Sequence, residues 1–400
     1  QSAAALIRCA RKPLLIAGGG VLYSQAWDAL AQLAQAHGIP VAETQAGKGA
    51  LRWDHALNLG AIGVTGSPAA NAMAVEADLV IAVGTRLQDF TTGSNQLFAD
   101  TPVLGINVSA ADAGKLHGHT LVADAAVALQ ALHGALGDWA SDTGWHSSAT
   151  QRAAGWLHRV DQLTRGEALA PGVLPYDADV IGAVRDSAAD SARTDVVICA
   201  AGTLPAELHK LWRCGVPGNY HVEYGYSCMG YEIAGGLGVK MARPDQEVIV
   251  MVGDGSYLML NSEIATSVML GLKLIIVVLD NRGFGCIQRL QTASGGAPFN
   301  NMLQDCAVPD AAGAQIDFAQ HARSLGADAA LAGDLAQFRT AMVAARAAAR
   351  TQVIVINTTH TRSTDDGGCW WDVAIPEVSA RAQVMSARQA YDAARKENQA

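Results

Sequence analysis

Apolar and polar positions recur along this chain in one order. A short aliphatic run leads to a glycine-bearing turn, and then to a stretch with apolar residues three and four apart. Pro13-Leu14-Leu15-Ile16-Ala17 precedes Gly18-Gly19-Gly20, and Trp27, Leu30, Leu33 and Ala34 follow at helical spacing. Ile39–Ala42, Ala77–Gly84, Pro102–Val108 and Leu121-Val122 continue the series. Unbroken aliphatic runs, rather than strict alternation, mark strands covered on both faces, and the helices between them supply the cover. The pattern predicts a Rossmann-like α/β domain over residues 1–136.

Residues 137–172 carry no strand pattern and read as a linker with a helix around Ala153–Leu163, punctuated by Ala170-Pro171-Gly172. A second series then begins, with strands expected at Asp195–Cys199, Glu247–Val252, Lys273–Leu279 and Gln352–Asn357. The fold class is therefore α/β, with two doubly wound parallel-sheet domains, the second over 173–376. The charged, strand-free tail 377–400 reads as a surface helix. No repeat of fixed period is present.

Composition narrows the class. Half of the 400 residues are apolar and 16% are charged, which is enough apolar surface to fold and excludes a disordered chain. Lys+Arg 28 against Asp+Glu 37 gives a net charge of −9, against a nucleic-acid or anionic-membrane binder, either of which needs a basic face. The seven cysteines are scattered without a C-x-x-C pair, so reduced thiols are expected in place of a disulfide framework or zinc ribbon. The longest apolar runs, such as Leu272–Leu279, fall short of the ~20 residues that span a bilayer, and no basic-then-apolar leader is seen. A cytoplasmic location is expected.

The stretch that carries chemistry is Val248-Ile249-Val250-Met251-Val252-Gly253-Asp254-Gly255-Ser256, with a helix and the strand ending Leu279-Asp280-Asn281 after it. Neighbouring strands of an open parallel sheet deliver their carboxyl ends to one edge, where ligands bind. Asp254 and Asn281 then stand together as hard oxygen ligands, suited to the octahedral demand of Mg²⁺ once phosphate oxygens, a carbonyl and water complete the shell. Gly253 and Gly255 let backbone N–H groups approach a phosphate, to which a helix starting near Asn261-Ser262-Glu263 can add its dipole.

Gly253-Asp254-Gly255 with Asn281 27 positions after Asp254 resembles the signature of the thiamine-diphosphate enzymes. The resemblance implies that Asp254 and the Asn281 side chain hold Mg²⁺, with the Gly283 carbonyl as third protein ligand. Asp280 departs from the Asn found there in the general pattern; the ligating second residue is intact. Met229, 25 residues before Asp254 in Glu223–Tyr231, fits the bulky residue that props the cofactor into a bent shape, and an Ala/Gly-rich helix over Ile233–Lys240 follows. Gly202 and Thr203, after the strand Val196–Cys199, would cradle the diphosphate, as would Gly253, Gly255 and Ser256. The superfamily's activating Glu sits in a pyrimidine-binding domain. Glu43 and Glu76 lie instead in the first α/β unit, which resembles the central domain, so that acid is expected before Gln1 and the chain is expected to be a fragment. Gly18-Gly19-Gly20 lacks the G-x-G-x-x-G spacing, which favours a structural spacer over a nucleotide site.

Ala46–Leu51, Leu59–Gly66, Arg86–Ser94, Leu279–Ile287 and Gly367–Val373 are similar to the trihydroxycyclohexanedione hydrolase family of myo-inositol catabolism. That implies ring opening of a cyclic diketone, with 5-deoxyglucuronate released after water addition, in a homodimer or homotetramer. An acetolactate-synthase-like carboligase shares the same metal and cofactor residues, and a non-catalytic nucleotide-binding protein is the alternative outside enzymes. His209, His221, His321 and His360 could relay protons, but a structural role is the commoner one for a histidine, and none is assigned as a relay. Asp365–Trp371 reads either as a lid hinged at Gly367-Gly368 or as a surface loop packed by Trp370 and Trp371.

Overall fold

A computed structural model describes residues 1–166, 169–170, 172–306 and 316–399. It divides into two compact units, and each contains one six-stranded sheet.

The first unit comprises 1–162, 212–220 and 365–372. Its strands are β1 (Pro13–Ala17), β2 (Val41–Glu43), β3 (Asn58–Ala61), β4 (Leu79–Val83), β5 (Val103–Asn107) and β6 (His119–Val122), in the order β3-β2-β1-β4-β5-β6. All pairs are parallel, as the aliphatic runs require. Every residue of β1 and β4 is buried. The triple glycine after β1 is explained by close backbone approach. A Cβ on Gly18 would lie 2.4 Å from the Gly84 carbonyl oxygen, and one on Gly20 would lie 2.6 Å from Gly84 Cα. Glu43, at the end of β2, is buried and accepts from the N–H groups of Gly49 (3.1 Å) and Leu51 (3.0 Å), so it fixes a turn of its own unit.

The expected linker holds a helix of 22 residues, Thr143–Thr164, longer than the predicted stretch. Pro171 lies outside the described residues. The sequence suggested two domains continuous in the chain. In the structure, 212–220 and 365–372 fold with the first unit instead. The Asp365–Trp371 segment is accordingly packed: Trp371 Nε1 donates to Asp89 at 2.8 Å, Gly368 N donates to the Gly66 carbonyl at 2.8 Å, and Arg159 holds Asp366 at 2.8 Å. These contacts hold the segment within the first unit.

The second unit comprises 163–211, 221–364 and 373–400. Its sheet contains β7 (Asp195–Cys199), β8 (Tyr220–Val222), β9 (Glu247–Gly253), β10 (Ile275–Asp280), β11 (Asp328–Ala332) and β12 (Gln352–Asn357), in the order β11-β12-β10-β9-β7-β8. The chain leaves β7 toward β8 on one side and returns through β9 on the other, so strand order reverses between β7 and β9. Ligands of open α/β sheets bind at the carboxyl ends of strands flanking such a switch. The core on one face joins Val196, Ile198, Val248, Val250, Ile276 and Val278 to Ile233 and Leu237 of the helix Tyr231–Ala242. The helix lies against the strand at Gly236, where a Cβ would meet Val250 Cγ2 at 2.4 Å. The tail forms the helix Ala382–Gln399.

Candidate functional site

Parallel registry builds the site. β7 pairs with β9 up to Ile198↔Val250, and β9 pairs with β10 up to Leu279↔Gly253. The turn Ala201-Gly202-Thr203, the turn Gly253-Asp254-Gly255 and the loop beginning at Asn281 therefore leave the sheet at one edge. A cavity of about 260 Å³ opens there. Gly202, Thr203, Met229, Gly253, Asp254, Gly255, Ser256, Asn281 and Gly283, the nine residues singled out in the sequence, all line it.

The polar groups have specific situations. Asp254 is 5% exposed, and its Oδ1 is buried with no hydrogen-bond partner among the described residues; the same holds for Asn281 Oδ1. Two buried acceptor oxygens without donors are unfavourable unless a cation or donor completes them. Burial pushes the Asp254 carboxyl up to about 7, and the neighbouring Asp280 carboxylate adds to the rise, while the N–H groups of Gly283 and Gly255 oppose it. A carboxyl so destabilised in its charged form is relieved by a divalent cation. Among the described residues no three of His, Cys, Asp and Glu come together as a metal-ligand group, so a metal here needs oxygen ligands from outside the side-chain set, such as a diphosphate. The donor set thus fits Mg²⁺ with a phosphorylated cofactor and does not fit a closed zinc site.

The loop after Asn281 is held by glycine. Gly283 has φ +146°, and a Cβ there would lie 2.3 Å from the Asn301 carbonyl oxygen. Phe284 N donates to that carbonyl at 2.7 Å. Asp280, the departure from the general signature, points its Oδ1 at Arg282 N (3.0 Å), with the Arg282 guanidinium 3.6 Å from Oδ2.

Thr203 Oγ1 accepts from Arg289 Nη2 at 2.5 Å. Its own hydroxyl proton is thereby left to donate. Ser256, in contrast, has its hydroxyl engaged within the protein: Oγ donates to Glu232 at 2.8 Å and accepts from Gly230 N at 2.8 Å. Any contact from Ser256 to a cofactor is left to its backbone.

Glu232, Asp177 and Arg289 were not foreseen. Glu232 lies in the first turn of a helix whose sequence reads as packing alone, and Asp177 in a helix start (Asp177, Asp179) that reads as capping. The only sequence signal for Glu232 was an acid in an otherwise Ala/Gly-rich apolar segment. The candidate histidines do not line the cavity. His321 Nδ1 meets the Tyr257 hydroxyl at 2.9 Å, His209 is buried, His221 lies in β8, and His360 offers its carbonyl to Arg289 at 2.7 Å.

Comparison with known proteins agrees with this geometry. Residues 1–132 match the thiamine pyrophosphate enzyme central domain, and residues 200–357 match the thiamine pyrophosphate enzyme C-terminal TPP binding domain. The chain is 41% identical over 411 residues to a 3D-(3,5/4)-trihydroxycyclohexane-1,2-dione hydrolase of Geobacillus thermodenitrificans, covering 97% of this chain and 64% of that protein. It is 38% identical to the protein of the same description in Bacillus licheniformis, and 37% identical to that in Bacillus subtilis. In both cases 98% of this chain and 64% of the relative are covered. The chain thus spans about 64% of the length of these curated relatives.

Proposed function

From a chain that belongs to the thiamine pyrophosphate enzymes, we propose a thiamine-diphosphate- and Mg²⁺-dependent hydrolase that opens the ring of trihydroxycyclohexane-1,2-dione by C–C cleavage. The observation that carries the cofactor assignment is the pair of unpartnered buried oxygens, Asp254 Oδ1 and Asn281 Oδ1, in one cavity with two glycine turns. The substrate rests on the identity of about 40% to relatives of that description.

Asp254, Asn281 and the Gly283 carbonyl would hold Mg²⁺. Gly202, Thr203, Gly253, Gly255 and the Ser256 backbone would cradle the diphosphate, and Met229 would support the cofactor's bend. When bound, the cofactor supplies a carbon nucleophile and an electron sink for cleavage beside a carbonyl. The chain's residues bind and orient: Thr203 presents a free hydroxyl proton, and Glu232 holds the turns around Gly230 and Ser256 in place. A homodimer or homotetramer and a cytoplasmic location belong to the same proposal. The location is supported by seven cysteines of which none is in a disulfide. Among the described residues no helix is long and apolar enough to cross a membrane.

The test is product analysis on the full-length protein. Consumption of the cyclic dione with formation of 5-deoxyglucuronate, dependent on thiamine diphosphate and Mg²⁺, is expected. Pyruvate turnover without dione cleavage would replace this reading with a carboligase.

A further inference from the structure

Asp177 lines the same cavity, and the cofactor site described above gives it no role. It stands first in the helix Asp177–Arg185, is 6% exposed, and its carboxyl makes no hydrogen bond or ion pair among the described residues. It is not the helix cap: Asp179 performs that function, accepting from Tyr176 N at 3.1 Å. A buried carboxyl without partners is unfavourable, and stability alone gives no reason to keep it.

Its neighbours are engaged elsewhere. Glu207, from the helix Leu204–Leu211, accepts from Thr364 N (2.7 Å) and Thr364 Oγ1 (2.6 Å). Arg289, from the helix Gly285–Ala293, donates to Thr203 Oγ1 and the His360 carbonyl. Cys286 of that helix also lines the cavity, its thiol pushed up by burial. Arg339, on the packed helix Leu335–Ala347, donates to the carbonyls of Arg165 and Gly166, and Arg362 lies over the Tyr176 ring. None of these donates to the Asp177 carboxyl. Burial, with the negative Glu207 nearby, pushes that carboxyl up to about 7, and Arg289 opposes the rise. A protonated carboxyl is both a donor and an acceptor, whereas the ionised form only accepts.

We propose that Asp177 is a catalytic residue whose carboxyl O–H donates a hydrogen bond to a substrate oxygen on which negative charge gathers as the ring opens. The proposal rests on the ring-opening reading above. It requires no transfer of the Asp177 proton, only a donor held in place where the charge develops.

The experiment compares the full-length wild type with D177L and D177N, the first removing the donor and the second keeping an amide donor that cannot titrate. Expected for D177L is a kcat lower by on the order of a hundredfold below neutrality, with the gap to wild type narrowing at higher pH as the wild type loses its own donor. Its dissociation constant for thiamine diphosphate with Mg²⁺, from calorimetry, should stay unchanged. In the wild type, kcat should fall as pH rises through neutrality and the donor is lost. In D177N that fall should disappear, with a rate well above that of D177L. Difference infrared spectroscopy should show a carboxylic-acid band that titrates near neutrality in the wild type and is missing in D177N. Wild-type kcat in D177L, an unchanged alkaline fall in D177N, lost cofactor affinity in D177L, or no such band would each overturn the assignment. If the band is present but the wild type leaves the dione untouched, the ring-opening reading fails and takes this assignment with it. If the wild type opens the dione and D177L does so equally fast, the assignment alone fails.

Discussion

Ser256 Oγ donates to the Glu232 carboxylate at 2.8 Å and accepts Gly230 N–H at 2.8 Å, while Glu232 itself accepts from Gly230 N at 3.0 Å. Burial raises the Glu232 pKa, and its own N–H, the Ser256 hydroxyl and the N–H groups of Gly230 and Ala201 work against that rise. One side chain thus joins three cavity-lining stretches, those after β7, before the helix Tyr231–Ala242 and after β9.

Glu232→Ala leaves these donors without their acceptor in a buried place. A loss of about 2–4 kcal/mol is expected from urea unfolding. Thiamine diphosphate affinity should fall at least tenfold by calorimetry, because the turns it needs are no longer held together. Unchanged affinity in a folded Glu232→Ala protein would show that the three turns are positioned without it.

Asp254→Ala removes the charged oxygen from the proposed Mg²⁺ shell. Cofactor binding by this variant should be undetectable or independent of Mg²⁺, and chelation with EDTA should bring the wild type to the same state. The fold should persist, since the substitution also removes a buried charge whose carboxyl the protein disfavours in its ionised form. Circular dichroism checks the fold, and a Mg²⁺ titration at fixed thiamine diphosphate checks the site. Retained Mg²⁺ dependence would place the metal elsewhere.

The strands that the sequence made plain are those buried on both faces. β1, β4, β7, β9, β10 and β12 announce themselves by unbroken aliphatic runs, and the observed bounds lie within two residues of expectation for the last four. β11 did not, because Asp-Ala-Ala-Leu-Ala reads as helix and becomes a strand only by pairing with β12. β3 and β8, four and three residues long, offer too little periodicity to detect. For the site, the glycine turns and Asp254 and Asn281 are legible because their spacing follows from the register of adjacent parallel strands. Glu232, Asp177 and Arg289 are not, since they reach the cavity edge through contacts between segments distant in the chain. The same limit hid the return of 212–220 and 365–372 to the first unit.

Two glycines of the site should respond oppositely to a methyl group. At Gly283 a Cβ would meet backbone, 2.3 Å from the Asn301 carbonyl oxygen, in a conformation with φ +146° that L-residues rarely adopt. At Gly255 it would meet the edge of the Phe284 ring at 2.6 Å, and a side chain that is 38% exposed can swing aside. Gly283→Ala should therefore lower the melting temperature and weaken Mg²⁺-dependent cofactor binding by tenfold or more. Gly255→Ala should melt within a few degrees of wild type, corresponding to roughly 1 kcal/mol or less. Equal melting temperatures for the two variants would contradict the backbone-clash argument.

Arg346 meets Asp195 through both terminal nitrogens, at 2.9 and 2.7 Å, and also donates to Ser187 Oγ at 2.7 Å. Asp195 opens β7 and is fully buried, so truncating its partner leaves a buried carboxylate unpaired. Arg346→Ala should destabilise the second unit by about 3–5 kcal/mol. Arg346→Lys should recover only part of that, because an ammonium does not reproduce the two-pronged contact. The double replacement Arg346→Met with Asp195→Leu should lie closer to wild type than Arg346→Ala, as expected when the uncompensated charge is the main penalty. Chemical denaturation of the three variants decides it.

The stability of the ligand-free protein should carry a signature of Asp177. Its carboxyl, ordinarily near 3.8, is pushed up to about 7 in the fold by burial and by Glu207. Between these values the native state binds a proton that the unfolded chain has released, so stability attributable to this group falls as pH rises from about 4 to about 7, and then levels off. The amide introduced by Asp177→Asn carries no such charge. The stability of that variant relative to wild type should therefore grow across this window, by on the order of 1.4 kcal/mol for each unit of the pKa shift. The fixed effect of exchanging a carboxyl for an amide drops out, because only the change with pH is read. Urea unfolding of both proteins at pH 4, 6 and 8 measures it. A difference between the two that stays flat from pH 4 to 8 would mean that Asp177 ionises in the native state at its ordinary pH.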